Sequence, residues 1–262
     1  MTAKEGRLML SNQRQKEILQ VVKERGTYKI TDLAERFSVS TETIRRNLKS
    51  LADKGLVAKF HGGVTLPTAE DEPPFQRRMQ LNREQKQRVA AAAVALIRDG
   101  DSLILDSGTT TSYVADALAN HTGLVIVTNS ADVACRLASR NDNRVFLAGG
   151  EISPEGLAAF SATAITFLRQ FRVRYTLLTV AGISDRGDFA HFHLWEAEFA
   201  QAAIEQADET WVIADHSKFG RNAPVRLGSL DDVTAIITDQ PPPASFAEQC
   251  ALKNVAICLP PD

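Results

Sequence analysis

The residues best suited to binding chemistry follow short apolar runs in the second half of the chain. Asp106-Ser107-Gly108-Thr109-Thr110-Thr111 comes directly after SLIL and opens a predicted helix. Gly108 allows close backbone approach, the hydroxyls donate hydrogen bonds, and a helix N-terminus offers unpaired N–H groups with a positive dipole end. This combination suits a phosphate group. A Ser/Thr helix cap without any ligand explains an isolated SGTTT equally well.

Two further loops favour a pocket over a simple cap, and a third loop adds a cation. Thr128-Asn129-Ser130 follows LVIV, Ala148-Gly149-Gly150 follows VFL, and Asp215-His216-Ser217-Lys218-Phe219 follows WVIA. Turns after successive parallel strands line one edge of a sheet, where open α/β sheets bind ligands. Lys218 adds a cation that could pair with a phosphate or carboxylate, although a lone lysine in a loop is usually solvated.

Two other sets of residues could bind metal or form cross-links. His191, His193 and Glu196 form H-x-H-x-x-E, but these histidines share a face only in an extended segment, and no cysteine or third histidine lies nearby. We predict no metal site and no cofactor. The cysteines, at 135, 250 and 258, are odd in number and scattered among apolar neighbours. We interpret them as buried structural thiols.

The elements that position these loops alternate between strand and helix. The predicted order is SLILD, helix TSYVADAL, LVIVT, helix DVACRLA, VFLAG, a helix around AITFLRQF, YTLLTV, then the strands WVIAD and TAIITD. This alternation predicts a right-handed α/β fold with a largely parallel sheet. An Ala-rich helix over 82–101 precedes it, with Val89, Ala93, Leu96 and Ile97 on one side.

Charge divides the chain into a basic first part and an acidic remainder. Residues 1–66 carry 13 Lys and Arg against 7 Asp and Glu, whereas the remainder carries 17 against 25, giving a net charge of -2 overall. This asymmetry suggests a nucleic-acid-binding domain on an acidic body. The chain has no long apolar run and no signal-peptide pattern, so we expect a cytoplasmic protein without a membrane segment.

The basic segment has the pattern of a winged helix-turn-helix domain. QRQKEILQVVKERG predicts one helix, TDLAERF predicts a second with Thr31 as its N-cap, and Ser40 caps a third. In the third helix Ile44, Leu48 and Leu51 face a core, and three cations lie opposite. LVAKFHGGVTL then suits a small β-hairpin wing. We expect operator DNA to contact Ser40, Thr41, Thr43, Arg45, Arg46, Lys49, Lys59 and His61.

VSTETIRRNLKSL followed by GLVAKFHGGV resembles the DeoR family of bacterial transcriptional repressors, and DSGTT, VTNS, LAGGE, AGI and DHSKFG extend the likeness along nearly the whole chain. The resemblance implies an effector domain similar to sugar-phosphate isomerases and CoA-transferases that binds phosphorylated metabolites. Within the family the likeness is to members that respond to glycerol 3-phosphate, the first expected effector. The expected effector-binding residues are Asp106, Ser107, Gly108, Thr109, Thr110, Thr128, Asn129, Gly149, Gly150, Gly182, Glu196 and Lys218.

This sequence departs from the family pattern at several positions. Asn47 stands where Asp is usual, which removes a negative charge near the expected DNA face, and Lys59 replaces the usual Arg. Ala158 and Ser161 replace expected glycines and could narrow the pocket. His193 and Ala200 stand where Asp and Lys are common, so we expect the polar contacts to the effector to differ from those of the family.

We therefore expect three regions: a winged helix-turn-helix domain at 1–66, a linker at 67–80 with three prolines and an acidic run, and an α/β effector-binding domain at 81–262. The predicted function is a repressor of a polyol or sugar catabolic operon, working as a homo-oligomer of two or four chains. One alternative is a regulator of the same family that senses a different sugar phosphate or acts as an activator. Another is an isomerase-like or deaminase-like enzyme, against which no clear acid and base pair is present.

Overall fold

A computed structural model describes residues 3–53, 56–60, 62–66, 72–138, 140–153 and 156–261, with side chains from residue 13 onward except that of residue 53. The chain divides into two compact units, residues 1–80 and residues 81–262.

The first unit combines helices with a small antiparallel sheet. Its elements are α1 (Ala3–Arg25), β1 (Thr27–Lys29), α2 (Ile30–Arg36), α3 (Thr41–Asp53), β2 (Ala58–Phe60), β3 (Gly63–Thr65) and α4 (Phe75–Gln80). The sheet order is β1-β3-β2. Gly62, with φ +84, lies in the β2–β3 turn, where a side chain would be strained. The helices and the wing predicted from the sequence are thus present.

The core of this unit explains its helical pattern. Ile44, Leu48 and Leu51 of α3 are buried as predicted, and they pack in one cluster with residues of α1, α2 and β3. The predicted cap at Thr31 is wrong, because α2 begins at Ile30 and Lys29 occupies the cap position without a side-chain bond. Helix α4 lies inside the segment predicted as a linker, and its Phe75 is buried.

The second unit contains the remaining elements. The first group is α5 (Arg83–Val94), β4 (Ser102–Leu105), α6 (Thr109–Ala117), β5 (Val125–Thr128), α7 (Ala131–Leu137), β6 (Arg144–Leu147), β7 (Ile152–Ser153), β8 (Ala158–Ala159) and α8 (Ala162–Leu168). The second group is β9 (Val173–Leu178), β10 (Gly182–Ile183), β11 (Asp188–His191), α9 (Leu194–Glu205), β12 (Ala207–Ile213), β13 (Val225–Ser229), β14 (Ala235–Ile237), α10 (Ala244–Leu252) and β15 (Ala256–Cys258).

A seven-stranded parallel sheet in the order β15-β14-β12-β9-β4-β5-β6 forms the centre of this unit. This confirms the predicted α/β fold. After β4 the chain adds β5 and β6 on one side, then crosses over to β9 and continues through β12, β14 and β15 on the other. The carboxyl ends of β4 and β9 therefore flank a topological switch point, where open α/β sheets form a ligand crevice.

Several features of this unit differ from the sequence-based predictions. Strands β10, β11 and β13 form a second, antiparallel sheet, and β7 with β8 forms a hairpin. Helix α5 ends at Val94, and the backbone then tightens into i-to-i+3 hydrogen bonds, Leu96 N to Ala93 O and Ile97 N to Val94 O. This tighter turn leaves Ile97 buried but Leu96 41% exposed, contrary to prediction.

The cysteines also differ from expectation. Cys250 is buried and Cys258 is partly buried, but Cys135 is exposed on α7. Helix α7 buries Val133, Ala134 and Leu137 instead, so position 135 falls on the opposite, solvent side of the helix.

Candidate DNA-binding surface and effector site

The start of α3 is fixed by a side-chain cap. Ser40 Oγ accepts a hydrogen bond from Thr43 N at 3.2 Å, and the two hydroxyls lie 3.0 Å apart. This confirms Ser40 as the N-cap predicted from the sequence. The cap satisfies a backbone donor at the N-terminus of the helix. It therefore fixes the position of the exposed first turn, which contains Thr41 and Glu42.

The cations of α3 are exposed, and its polar residue Asn47 is not. Arg45, Arg46 and Lys49 point to solvent opposite the buried face, as predicted. Asn47 is only 2% exposed, and its Nδ2 donates to Thr43 O at 2.7 Å. The expectation that Asn47 lies near the DNA face is therefore wrong, since the side chain closes onto the preceding helical turn.

Helix α3 and the wing together form a basic groove of about 780 Å³. We call it the α3–wing groove; its lining residues are Ile30, Glu42, Arg45, Arg46, Leu48, Lys49, Lys59, Phe60 and Gly62. The structure thus brings Lys59 of β2 to the same groove as the three α3 cations. His61 lies outside the described residues. Clustered cations of this kind bind nucleic acid by displacing counterions from the phosphates.

Phe60 also lines this groove, although the sequence pattern did not predict it. Its ring is 46% exposed at the end of β2 and lies over Gly63, where an added Cβ would come within 2.1 Å of the ring. The glycine after the turn is therefore what allows the aromatic ring to fold over the wing. The signal available in the sequence was a large apolar residue between Lys59 and the Gly62-Gly63 turn.

In the second unit, Asp106 links the carboxyl ends of β4 and β9. Its Oδ1 accepts from Thr111 Oγ1 at 2.7 Å, and its Oδ2 accepts from Thr179 N at 2.7 Å and Thr179 Oγ1 at 3.0 Å. Burial raises the pKa of Asp106 to about 6, and the hydrogen bonds from Thr111 and Thr179 act in the opposite direction. Both carboxylate oxygens are thus engaged within the protein, which supports a positioning role.

The predicted phosphate loop lies at the N-terminus of α6. Gly108 occupies the N-cap position without a side-chain cap, so the first N–H groups of α6 lack that partner. An added Cβ at Gly108 would lie 2.4 Å from Thr179 Oγ1, so any larger residue there would have to displace the Thr179 side chain. Thr109 and Thr110 are buried in the first turn, and Ser107 is half-buried before it. This arrangement can accept an anion.

The β5 loop holds the β7–β8 hairpin. Asn129 Nδ2 donates to Ala159 O at 3.1 Å, and Ala159 N donates to Asn129 O at 3.0 Å. Thr128 Oγ1 accepts from Ser130 N at 3.1 Å. The buried Asn129 Oδ1 has no partner among the described residues, so it is the group of this loop left to accept a further hydrogen bond.

The β6 loop contacts the start of α8. Gly150 adopts φ +155, and an added Cβ there would lie 2.7 Å from Ser161 Oγ. That hydroxyl caps α8 by accepting from Ala164 N at 3.2 Å and donates to Gly149 O at 3.4 Å. Ser161 is therefore a helix cap, and Ala158 is buried in β8 beside Ser130. Narrowing of the pocket by these two side chains stays a prediction.

Gly182 contacts the loop before β13, and Glu196 contacts the start of α9 and the end of β11. An added Cβ at Gly182 would come within 2.1 Å of Arg221 O, which gives this glycine a packing role. Glu196 Oε2 accepts from His193 N at 3.2 Å, closing the first turn of α9, and lies 3.7 Å from His191 Nδ1. His193 stacks on Trp195, with ring centroids 4.5 Å apart.

Lys218 is half-buried in a short 3-10 turn after β12 that Asp215 organises. Asp215 is buried, and its Oδ1 accepts from Ser217 N at 3.0 Å and Asn82 Nδ2 at 3.1 Å. In the same turn His216 Nδ1 lies 2.9 Å from Asp239 Oδ2, beyond β14. Among the described residues no group of three His, Cys, Asp or Glu side chains could hold a metal ion.

Three more polar residues at this edge were not predicted as site residues: Thr179, Asn82 and Asp239. The sequence places them inside predicted elements, in the strands YTLLTV and TAIITD and at the start of the helix over 82–101. In the structure each lies just outside its element, because β9 ends at Leu178, β14 ends at Ile237 and α5 begins at Arg83. The sequence does not reveal the hydrogen-bond partners of these residues. Thr179 is 73 residues from Asp106, and Asn82 is 133 residues from Asp215.

A basic winged helix-turn-helix unit, together with an α/β unit that has an uncapped helix N-terminus at its switch point, is typical of a ligand-responsive DNA-binding regulator. The DeoR-like helix-turn-helix domain matches residues 14–70, and the DeoR C terminal sensor domain matches residues 81–240. The chain therefore belongs to the DeoR family of transcriptional repressors and is a regulator, not an enzyme. No helix in the described part of the chain is long and apolar enough to cross a membrane.

Relatives span nearly the whole chain. The glycerol-3-phosphate regulon repressor of Escherichia coli K12 is 39% identical over 240 residues, covering 92% of this chain and 95% of that protein. The transcriptional repressor CsqR of the same strain is 32% identical over 252 residues, covering 96% and 97%. Among solved structures, a D-ribose-5-phosphate isomerase aligns with TM-score 0.40 and 15% identity, covering 52% of this chain and 54% of that one.

Proposed function

We propose that this repressor binds its operator through the α3–wing groove and releases it when a phosphorylated polyol or sugar occupies the switch point of the second unit. Glycerol 3-phosphate is the first candidate, by analogy with the relative that is 39% identical. The protein acts in the cytoplasm, as a homo-oligomer whose paired DNA-binding domains contact repeated half-sites.

The observation that carries the sensor assignment is the uncapped N-terminus of α6 beside Gly108. Asp106 ties this turn to Thr179 of the neighbouring strand end, so the N–H groups are held in place before any ligand arrives. A preorganised set of donors at a helix N-terminus favours a dianionic phosphate ester. Ser107, half-buried directly ahead of this helix, carries a hydroxyl that we expect to donate one more hydrogen bond to the phosphate.

The DNA-binding assignment rests on the four cations of the α3–wing groove. Arg45, Arg46, Lys49 and Lys59 come from two elements whose relative position the shared core fixes. Replacing Arg45 and Arg46 with Ala is expected to abolish retardation of an operator fragment at low salt, because each contributes a phosphate or base contact. Ligand binding by the second unit should be unchanged, and unchanged DNA affinity would refute the assignment.

Thermal denaturation of the full chain against a panel of phosphate esters tests the sensor. Both tryptophans, Trp195 and Trp211, lie in the second unit, so selectively excited tryptophan fluorescence follows that unit alone. A ligand at a hundred times its Kd stabilises the folded state by about 2.7 kcal/mol. For a unit of this size that corresponds to a rise of about 5 to 10 °C in Tm.

A matched pair of variants makes the test specific to the site. Ser107→Ala should reduce the ligand-induced rise in Tm, whereas Ser245→Ala, an exposed serine on α10, should not. A rise with glycerol 3-phosphate alone supports that effector. A rise with another ester points to a regulator tuned by His193 and Ala200, and no rise with any ester contradicts the sensor assignment.

A further inference from the structure

One acidic side chain lies in the otherwise basic α3–wing groove. Glu42, Arg45, Arg46 and Lys49 are spaced at i, i+3, i+4 and i+7, so they share one exposed face of α3. Among the described residues that line the groove, Glu42 is the one carboxylate. It lies in the first turn after the Ser40 cap, the part of a recognition helix that contacts base edges in the major groove.

A carboxylate in this position needs a hydrogen-bond donor on the DNA. Phosphate oxygens are acceptors and repel it, so contact with the backbone would weaken binding. In the major groove the available donors are the exocyclic amino groups of cytosine and adenine. Adenine also presents its N7 acceptor next to the amino group, which repels the second carboxylate oxygen, whereas cytosine presents no acceptor there.

We propose that Glu42 is a base-reading residue, which accepts a hydrogen bond from the N4 amino group of a cytosine and rejects the acceptor edges of guanine and thymine. The proposal rests on the DNA-binding function proposed above. Arg45 Nη1 lies 3.8 Å from Glu42 Oε2, with both side chains largely exposed. An ion pair this exposed contributes little to the stability of the helix, so both side chains can turn towards neighbouring bases.

Selection of the full-length protein on randomised duplex DNA tests the proposal and does not require a known operator sequence. The wild-type protein should enrich a motif with a cytosine preference of about tenfold at one position in each half-site. In Glu42→Ala that preference should vanish while the other positions keep theirs. In Glu42→Gln it should change to adenine, because a glutamine amide pairs with adenine N6 and N7.

The matched control is Glu35→Gln, which removes the same charge from an exposed position on α2 outside the groove. It should leave every base preference unchanged. If Glu42→Ala and Glu42→Gln keep the wild-type motif and only bind all DNA more tightly, Glu42 acts through charge alone and the proposal is wrong. Loss of all binding by either variant would also overturn it, and a wild-type protein that enriches no motif refutes DNA recognition itself.

Discussion

Replacing Asp106 with asparagine should change how the stability of the second unit depends on pH. Burial raises the pKa of Asp106 from 3.8 to about 6 in the folded protein. The folded state therefore binds the carboxyl proton of Asp106 more tightly than the unfolded state does. Protonation of Asp106 thus stabilises the folded state, and this stabilisation is fully present below about pH 3.8. It is lost as the pH rises through about 6.

The magnitude follows from the two pKa values. Since one pKa unit corresponds to about 1.4 kcal/mol, ionised Asp106 costs the folded state about 3 kcal/mol relative to its protonated form. Between about pH 7.5 and about pH 5 the free energy of unfolding of the wild-type protein should therefore rise by about 1 kcal/mol from this group alone. An asparagine side chain cannot ionise, so the Asp106→Asn variant should lack that gain while all other carboxyl groups behave as before.

Urea denaturation followed by tryptophan fluorescence at several pH values measures this difference in the second unit. Asp142→Asn serves as the control, because Asp142 is exposed and its positive φ suits asparagine equally well. The free energy of unfolding of the control should run parallel to that of the wild-type protein. Parallel curves for Asp106→Asn as well would show that Asp106 ionises normally and would refute the burial argument.

Three further substitutions test other contacts. Ser40→Ala should lower the stability of the first unit by about 1 kcal/mol through loss of the α3 cap, measured by urea denaturation followed by far-UV circular dichroism; an unchanged midpoint would contradict the cap. Lys59→Ala should reduce the slope of log K against log salt by about 0.9 if the wing contacts one phosphate, as measured by fluorescence anisotropy, and an unchanged slope would remove Lys59 from the interface. Gly108→Ala should displace Thr179, because the new Cβ would lie 2.4 Å from the Thr179 hydroxyl. The variant should therefore lose the ligand-induced rise in Tm, and an undiminished rise would contradict the loop geometry.

Periodicity was sufficient to predict the elements with a continuous apolar pattern. Helix α3 was identified from Ile44, Leu48 and Leu51, and the parallel strands from short apolar runs followed by polar turns. The buried Asn47 could also have been found, since it lies at i+3 from Ile44 on the same face. Its polar type directed attention to the DNA side, although an amide can be buried when it bonds to the previous turn.

Long-range partners and very short strands could not be predicted. Strands β10, β11 and β13 are two, four and five residues long, and the pairing of β11 with β13 joins segments far apart in the chain. The bond between Asp106 and Thr179 is of the same kind. The loop pattern predicts Asp106 as a ligand-binding group, whereas Thr111 and Thr179 engage both of its carboxylate oxygens in the structure.

The most direct test of the account is whether a phosphate ester releases the full-length protein from DNA. Fluorescence anisotropy on the duplex enriched by the wild-type protein, with and without glycerol 3-phosphate, measures the coupling between the two units. The account predicts that DNA affinity falls about 5- to 150-fold with the ester and is unchanged by glycerol. Equal DNA affinity with and without every ester of the panel would contradict it.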